Sequence, residues 1–80
     1  MSILNQFREN YSIITLHGTK EIYIENFISV IELNDGQIKI RAKGEIVTVV
    51  GKGLQVEYMN KDDIKINGSI YAVHLMEAGK

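Results

Sequence analysis

Residues 36–58 read Gly36-Gln-Ile-Lys-Ile-Arg-Ala-Lys-Gly44-Glu-Ile-Val-Thr-Val-Val-Gly51-Lys-Gly53-Leu-Gln-Val-Glu-Tyr58. Glycines cut this stretch into three apolar runs. Ile38 and Ile40 alternate with Lys39 and Arg41, and Leu54, Val56 and Tyr58 alternate with Gln55 and Glu57. A repeat of two over five or six residues marks half-buried strands. The middle run differs. Ile46 and Val50 fall on one face and Val47 and Val49 on the other, so both faces call for cover. A central strand backed by another element explains this, and so does a subunit interface. Ile46, Val47, Val49 and Tyr58 are therefore the candidate contact residues. Lysine at an outward Val47 or Val49 is expected to separate an assembly without unfolding the chain.

Toward the start, Asn34-Asp35-Gly36 is a hairpin signal of the Asp-Gly kind, in which both turn residues tolerate positive φ. Residues 28–33, 20–26 and 12–17 read as three further strands, separated by Asn26-Phe27 and Gly18-Thr19. Residues 1–11 form an N-terminal arm or a short helix. Ser2 is placed to cap that helix, and Ile3, Leu4, Phe7 and Tyr11 fall near one stripe.

Toward the end, Asn60-Lys-Asp-Asp63 is a polar turn, residues 63–67 a strand, Gly68-Ser69 a two-residue turn and residues 70–75 the last strand. Gly36, Gly44, Gly51, Gly53 and Gly68 serve as structural turn glycines. Short turns between short strands require antiparallel pairing. The expected domain, residues 12–76, is all-β: a small antiparallel sandwich or partly closed barrel of seven to eight strands.

Eighty residues make one domain, which buries only about 60–65% of its unfolded surface. With two Phe, four Tyr and no Trp, the core must come from Ile, Val and Leu. The absence of cysteine excludes disulfides, thiolate metal sites and a cysteine nucleophile. A net charge of −1 gives none of the basic footprint that marks a nucleic-acid binder. No apolar run reaches the roughly 18 residues of a membrane helix, and the first residues do not read as a signal peptide. A soluble, cytoplasmic chain without direct membrane insertion is expected.

No arrangement points to catalysis or a cofactor. His17 and His74 each sit near the end of an expected strand, and pairing of the first and last strands would bring them together. Their sequence spacing is not that of a metal site, and surface histidines account for both. Glu21, Glu25, Glu32, Glu45 and Glu57 read as solvated acids paired across strands with Lys39, Arg41 and Lys65. Gly51-Lys52-Gly53 lacks the remaining residues of a phosphate loop. Tyr23, Tyr58 and Tyr71 beside Lys39, Arg41 and Lys65 supply the alternative of a ligand or single-stranded nucleic-acid barrel.

The order of elements carries a resemblance. Ile22-Tyr-Ile-Glu-Asn26 precedes an Ile-Lys-Ile strand; Gly51-Lys-Gly-Leu-Gln-Val56 and Ile64-Lys-Ile-Asn-Gly-Ser-Ile70 follow. This arrangement resembles the YabP/YqfC family of sporulation proteins from endospore-forming Firmicutes, nearer to the YqfC branch. The resemblance implies a small, mostly β, non-enzymatic protein of the mother cell. It implies a protein partner, a membrane-associated sporulation protein encoded nearby, which would hold the chain peripherally at a membrane. Separately from the resemblance, the strand apolar on both faces leaves a homodimer open. The resemblance carries over no catalytic residue.

Overall fold

Alternating aliphatic and polar side chains form six strands in the computed structural model, which describes residues 11–78. They are β1 (Ile13–His17), β2 (Glu21–Glu25), β3 (Ser29–Leu33), β4 (Gln37–Arg41), β5 (Glu45–Met59) and β6 (Asp63–Glu77). All pair antiparallel in one sheet of order β1-β2-β6-β5-β4-β3. The arm or helix expected over residues 1–11 lies outside the described residues apart from Tyr11.

The expected sandwich or barrel of seven to eight strands becomes six strands in one sheet because two pairs of expected strands are each continuous. Gly51-Lys52-Gly53 and Gly68-Ser69 do not reverse the chain; they bend it within β5 and β6. Lys52 pairs with Ser69 and Gln55 with Asn67, so Gly53 and Leu54 face Gly68 alone. Two residues against one is a β-bulge, which kinks the ladder and strengthens its twist. Gly68 has φ 139° and lies against the Gly53 carbonyl, where a Cβ would come within 2.7 Å of the oxygen.

The bend divides the sheet into two leaves. One holds β1, β2, the start of β6 and the end of β5; the other holds β3, β4, the start of β5 and the end of β6. In the first leaf Ile22 pairs with Ile66 and Ile24 with Ile64. In the second, Ile38 pairs with Val49 and Ile40 with Val47. These eight side chains are fully buried and belong to one cluster with Ala42, Leu54 and Ile70. A single cluster drawn from both leaves requires the sheet to fold back over itself. Each of these aliphatic side chains contributes about 1.5–3 kcal/mol through its burial.

Asparagine builds two of the turns. The Asn34 Oδ1 accepts from the N–H groups of Gly36 (2.9 Å) and Gln37 (2.7 Å), and the Asn60 Oδ1 accepts from Asp62 (2.8 Å) and Asp63 (2.7 Å). These are Asx turns, in which the side chain replaces the positive φ expected at Asp35 and Gly36. Gly36 and Gly44 do lie at hairpin turns, as expected. Among the described residues, Asn26 is the non-glycine with positive φ, at 66°. Its carbonyl accepts from Ser12 Oγ at 2.7 Å, and that hydroxyl in turn accepts from the Lys43 N–H at 2.9 Å. Buried Ser12 thus ties the start of β1 to the β2–β3 connection and the β4–β5 turn.

Candidate functional site

The two leaves leave two surfaces with distinct chemistry. The first is the outer face of the first leaf, where alternation directs the polar residues of β1, β2 and β6 away from the core. Tyr23 on β2 and Tyr58 on β5 are 35 residues apart, yet their hydroxyls lie 2.9 Å from each other and their ring centroids 6.2 Å. Lys65 sits between Glu21 (3.5 Å) and Glu57 (3.8 Å), and Glu21 also meets His17 Nδ1 at 3.2 Å. His17, Tyr23, Tyr58 and Lys65 line a shallow hollow of about 230 Å³.

One phenol on this face titrates away from its ordinary value. The hydrogen bond to Tyr58 pushes the Tyr23 phenol up to about 12, aided by desolvation and by the nearby acids Asp63 and Glu25. At neutral pH Tyr23 therefore remains a phenol. Lys65 is held by carboxylates on both sides, an exposed arrangement worth under about 1 kcal/mol per pair. The Tyr58→Phe variant should move the Tyr23 midpoint down toward the ordinary tyrosine value, because the group raising it most is gone. Ultraviolet titration of the phenolates reads this directly, and an unmoved high midpoint would contradict the assignment.

The second surface is the far end of β6. Among the described residues, 71–77 pair with β5 on one side only, since β2 reaches no further along β6 than Asn67. Along β5, Ala42 donates to the Glu45 carbonyl (2.9 Å) and Gly51 to the Gly36 carbonyl (3.0 Å), so its odd-numbered residues turn their backbone toward β4. The even-numbered ones turn toward β6, and Ala78 accordingly donates to the Gly44 carbonyl at 3.1 Å. Register then commits Ala72, His74 and Met76 to β5. Val73, Leu75 and Glu77 direct their N–H and C=O groups away from the sheet.

The side chains along this edge are apolar and open to solvent. Tyr71 is 67% exposed, Leu75 61% and Met76 68%. Leu16, Gly18, Thr19 and residues 70–73 line a groove of about 250 Å³ where the edge passes the β1–β2 turn. The β3 edge is protected differently: it carries a bulge at Ile31 and a charge at Glu32. Bulges and charges on an edge discourage strand addition, and residues 72–77 have a single charge, at their end.

The sequence candidates divide between these surfaces and the core. Tyr58 is exposed on the first face. Ile46 is half-buried on the outer face of the second leaf, opposite Met76. Val47 and Val49 are corrected: both are 0% exposed, pair with Ile40 and Ile38, and point into the core, so neither is an outward contact. The expected meeting of His17 with His74 does not occur. Among the described residues β1 pairs with β2 alone, and His74 lies opposite Thr48. Of the barrel set, Tyr23, Tyr58 and Lys65 converge, whereas Tyr71 stands on the β6 edge and Lys39 and Arg41 belong to the second leaf. Lys65 finds its expected acids. Sequence reasoning does not find Leu75 and Met76 as surface features. Their one sequence signal is the apolar run about them, which His74 interrupts and which does not alternate.

This arrangement is, among the described residues, that of a small antiparallel β protein with one strand end paired on a single side. Among the described residues, no helix is long and apolar enough to cross a membrane. The chain belongs to the YabP family, whose model matches residues 8–80, and this membership points to a sporulation-associated protein. No curated protein and no solved structure matches the chain.

Proposed function

We propose that this chain is a non-enzymatic sporulation protein of the mother cell, a small β module that binds another protein by strand addition. The observation that supports this most is the end of β6, which among the described residues is paired on one side, with the backbone groups of Val73, Leu75 and Glu77 pointing off the sheet beneath exposed Tyr71, Leu75 and Met76. An added strand gains main-chain hydrogen bonds from such an edge and specificity from its side chains. The partner we favour is a membrane-associated sporulation protein encoded nearby, with this chain cytoplasmic and peripheral, as in the YqfC branch.

The test replaces the native gene in an endospore-forming host. Leu75→Pro removes an N–H that points off the sheet and has no strand partner among the described residues, so the monomer should keep its fold while strand addition fails. Heat-resistant spore counts should fall with Leu75→Pro and with Leu75→Lys, and should hold with Tyr58→Phe. Full sporulation with both Leu75 variants would overturn the reading. The alternative, a ligand or single-stranded nucleic-acid barrel, draws on the convergence of Tyr23, Tyr58 and Lys65. Glu21 and Glu57 offset the lysine there, so no salt-dependent oligonucleotide binding is expected at low salt, and its appearance would favour the barrel.

A further inference from the structure

The open end of β6 is complementary to itself. Its outward backbone groups at Val73 and Leu75 lie symmetrically about His74, and those at Glu77 extend the same series. A second copy laid antiparallel and centred on His74 sets Val73 against the second copy's Leu75, and Leu75 against its Val73. Each of these is a hydrogen-bonded pair that exchanges two backbone bonds. Ala72 then faces Met76, Tyr71 faces Glu77, and the two His74 side chains face each other across the axis.

Charge placement selects this occupant. The only formally charged residue in the run, Glu77, meets a tyrosine and not its own copy. The exposed apolar Leu75 and Met76 meet Val73 and Ala72, which is the pairing that stabilises adjacent strands. The bulged β3 edge with its Glu32 offers no equivalent. We propose that the chain forms a two-fold homodimer through antiparallel pairing of residues 72–77 of β6, with His74 on the axis. The proposal rests on the reading of this edge as a strand-addition site and names a second copy as an occupant.

A lone strand pair is smaller than a standard interface, so the dimer should be weak and dissociate on dilution. Sedimentation velocity on the full chain should show a concentration-dependent monomer–dimer equilibrium. Leu75→Pro and Leu75→Lys should each weaken it at least about tenfold, roughly 1.4 kcal/mol, with circular dichroism unchanged. The chain has no cysteine, so His74→Cys introduces a single thiol. Facing residues of a non-hydrogen-bonded pair lie close enough for a disulfide. His74→Cys should therefore yield a covalent dimer in air, and Leu75→Cys should not. A chain that stays monomeric, a dimer untouched by both Leu75 variants, or cross-linking at Leu75→Cys in place of His74→Cys would overturn the proposal. A monomer whose sporulation role still needs Leu75 would end the dimer and keep the interaction reading. A dimer whose role survives both Leu75 variants would do the reverse.

Discussion

Gly51→Ala should lower the melting temperature by about 10–25 °C, a loss of roughly 2–4 kcal/mol for a domain of this size. A Cβ at Gly51 would collide with the Ser69 carbonyl oxygen and meet the Leu54 side chain at 3.0 Å. The carbonyl belongs to the facing strand at the bend, so relief requires the two long strands to part where they turn together. Gly44→Ala provides the comparison. Gly44 has positive φ, at 94°, but nothing lies within 4 Å of the place a Cβ would take, so only the backbone conformation is penalised, by about 1–2 kcal/mol. Thermal unfolding of both variants ranks them. A Gly51→Ala protein as stable as Gly44→Ala would mean that the bend is not as tight as described.

Val49→Lys should abolish folding. Val49 is 0% exposed, pairs with Ile38 and belongs to the buried cluster that also holds the isoleucines of the other leaf. A lysine there has no carboxylate within the cluster, and an unpaired buried charge costs several kcal/mol. Total stability for a chain of this length is about 4–12 kcal/mol, so most of it disappears. Circular dichroism should show loss of the β signature, and one-dimensional proton spectra should lose their upfield methyl signals. Alternation alone suggests the opposite, a folded protein with a broken assembly. A folded Val49→Lys monomer would show that the two valines do face outward.

That reversal shows where local pattern stops being informative. Ile46, Val47, Val49 and Val50 are all β-branched aliphatics, so the sequence identifies a strand apolar on both faces without saying which face is inside. The decision is made by register: Val47 lies opposite Ile40 and Val49 opposite Ile38, residues of the neighbouring strand. The first four strands are readable because alternation and turn chemistry agree there. The glycines at 51, 53 and 68 mislead because a reverse turn and a bulge ask for the same thing, a residue without Cβ at a tight or left-handed position. Whether the chain then reverses or continues depends on the opposing strand. The contact of Tyr23 with Tyr58 has the same origin, since it follows from β2 and β5 both flanking β6. The open edge is hidden for one further reason: splitting β6 at Gly68 makes its last stretch look like an ordinary short strand followed by a tail.

Two ribbons, β5 and β6, run through both leaves, so neither layer owns a complete set of its own strands. Such a molecule has no seam along which half of it could melt while the other half stands. Damage at either end is carried across the hinge, and the protein answers as one cooperative unit or not at all.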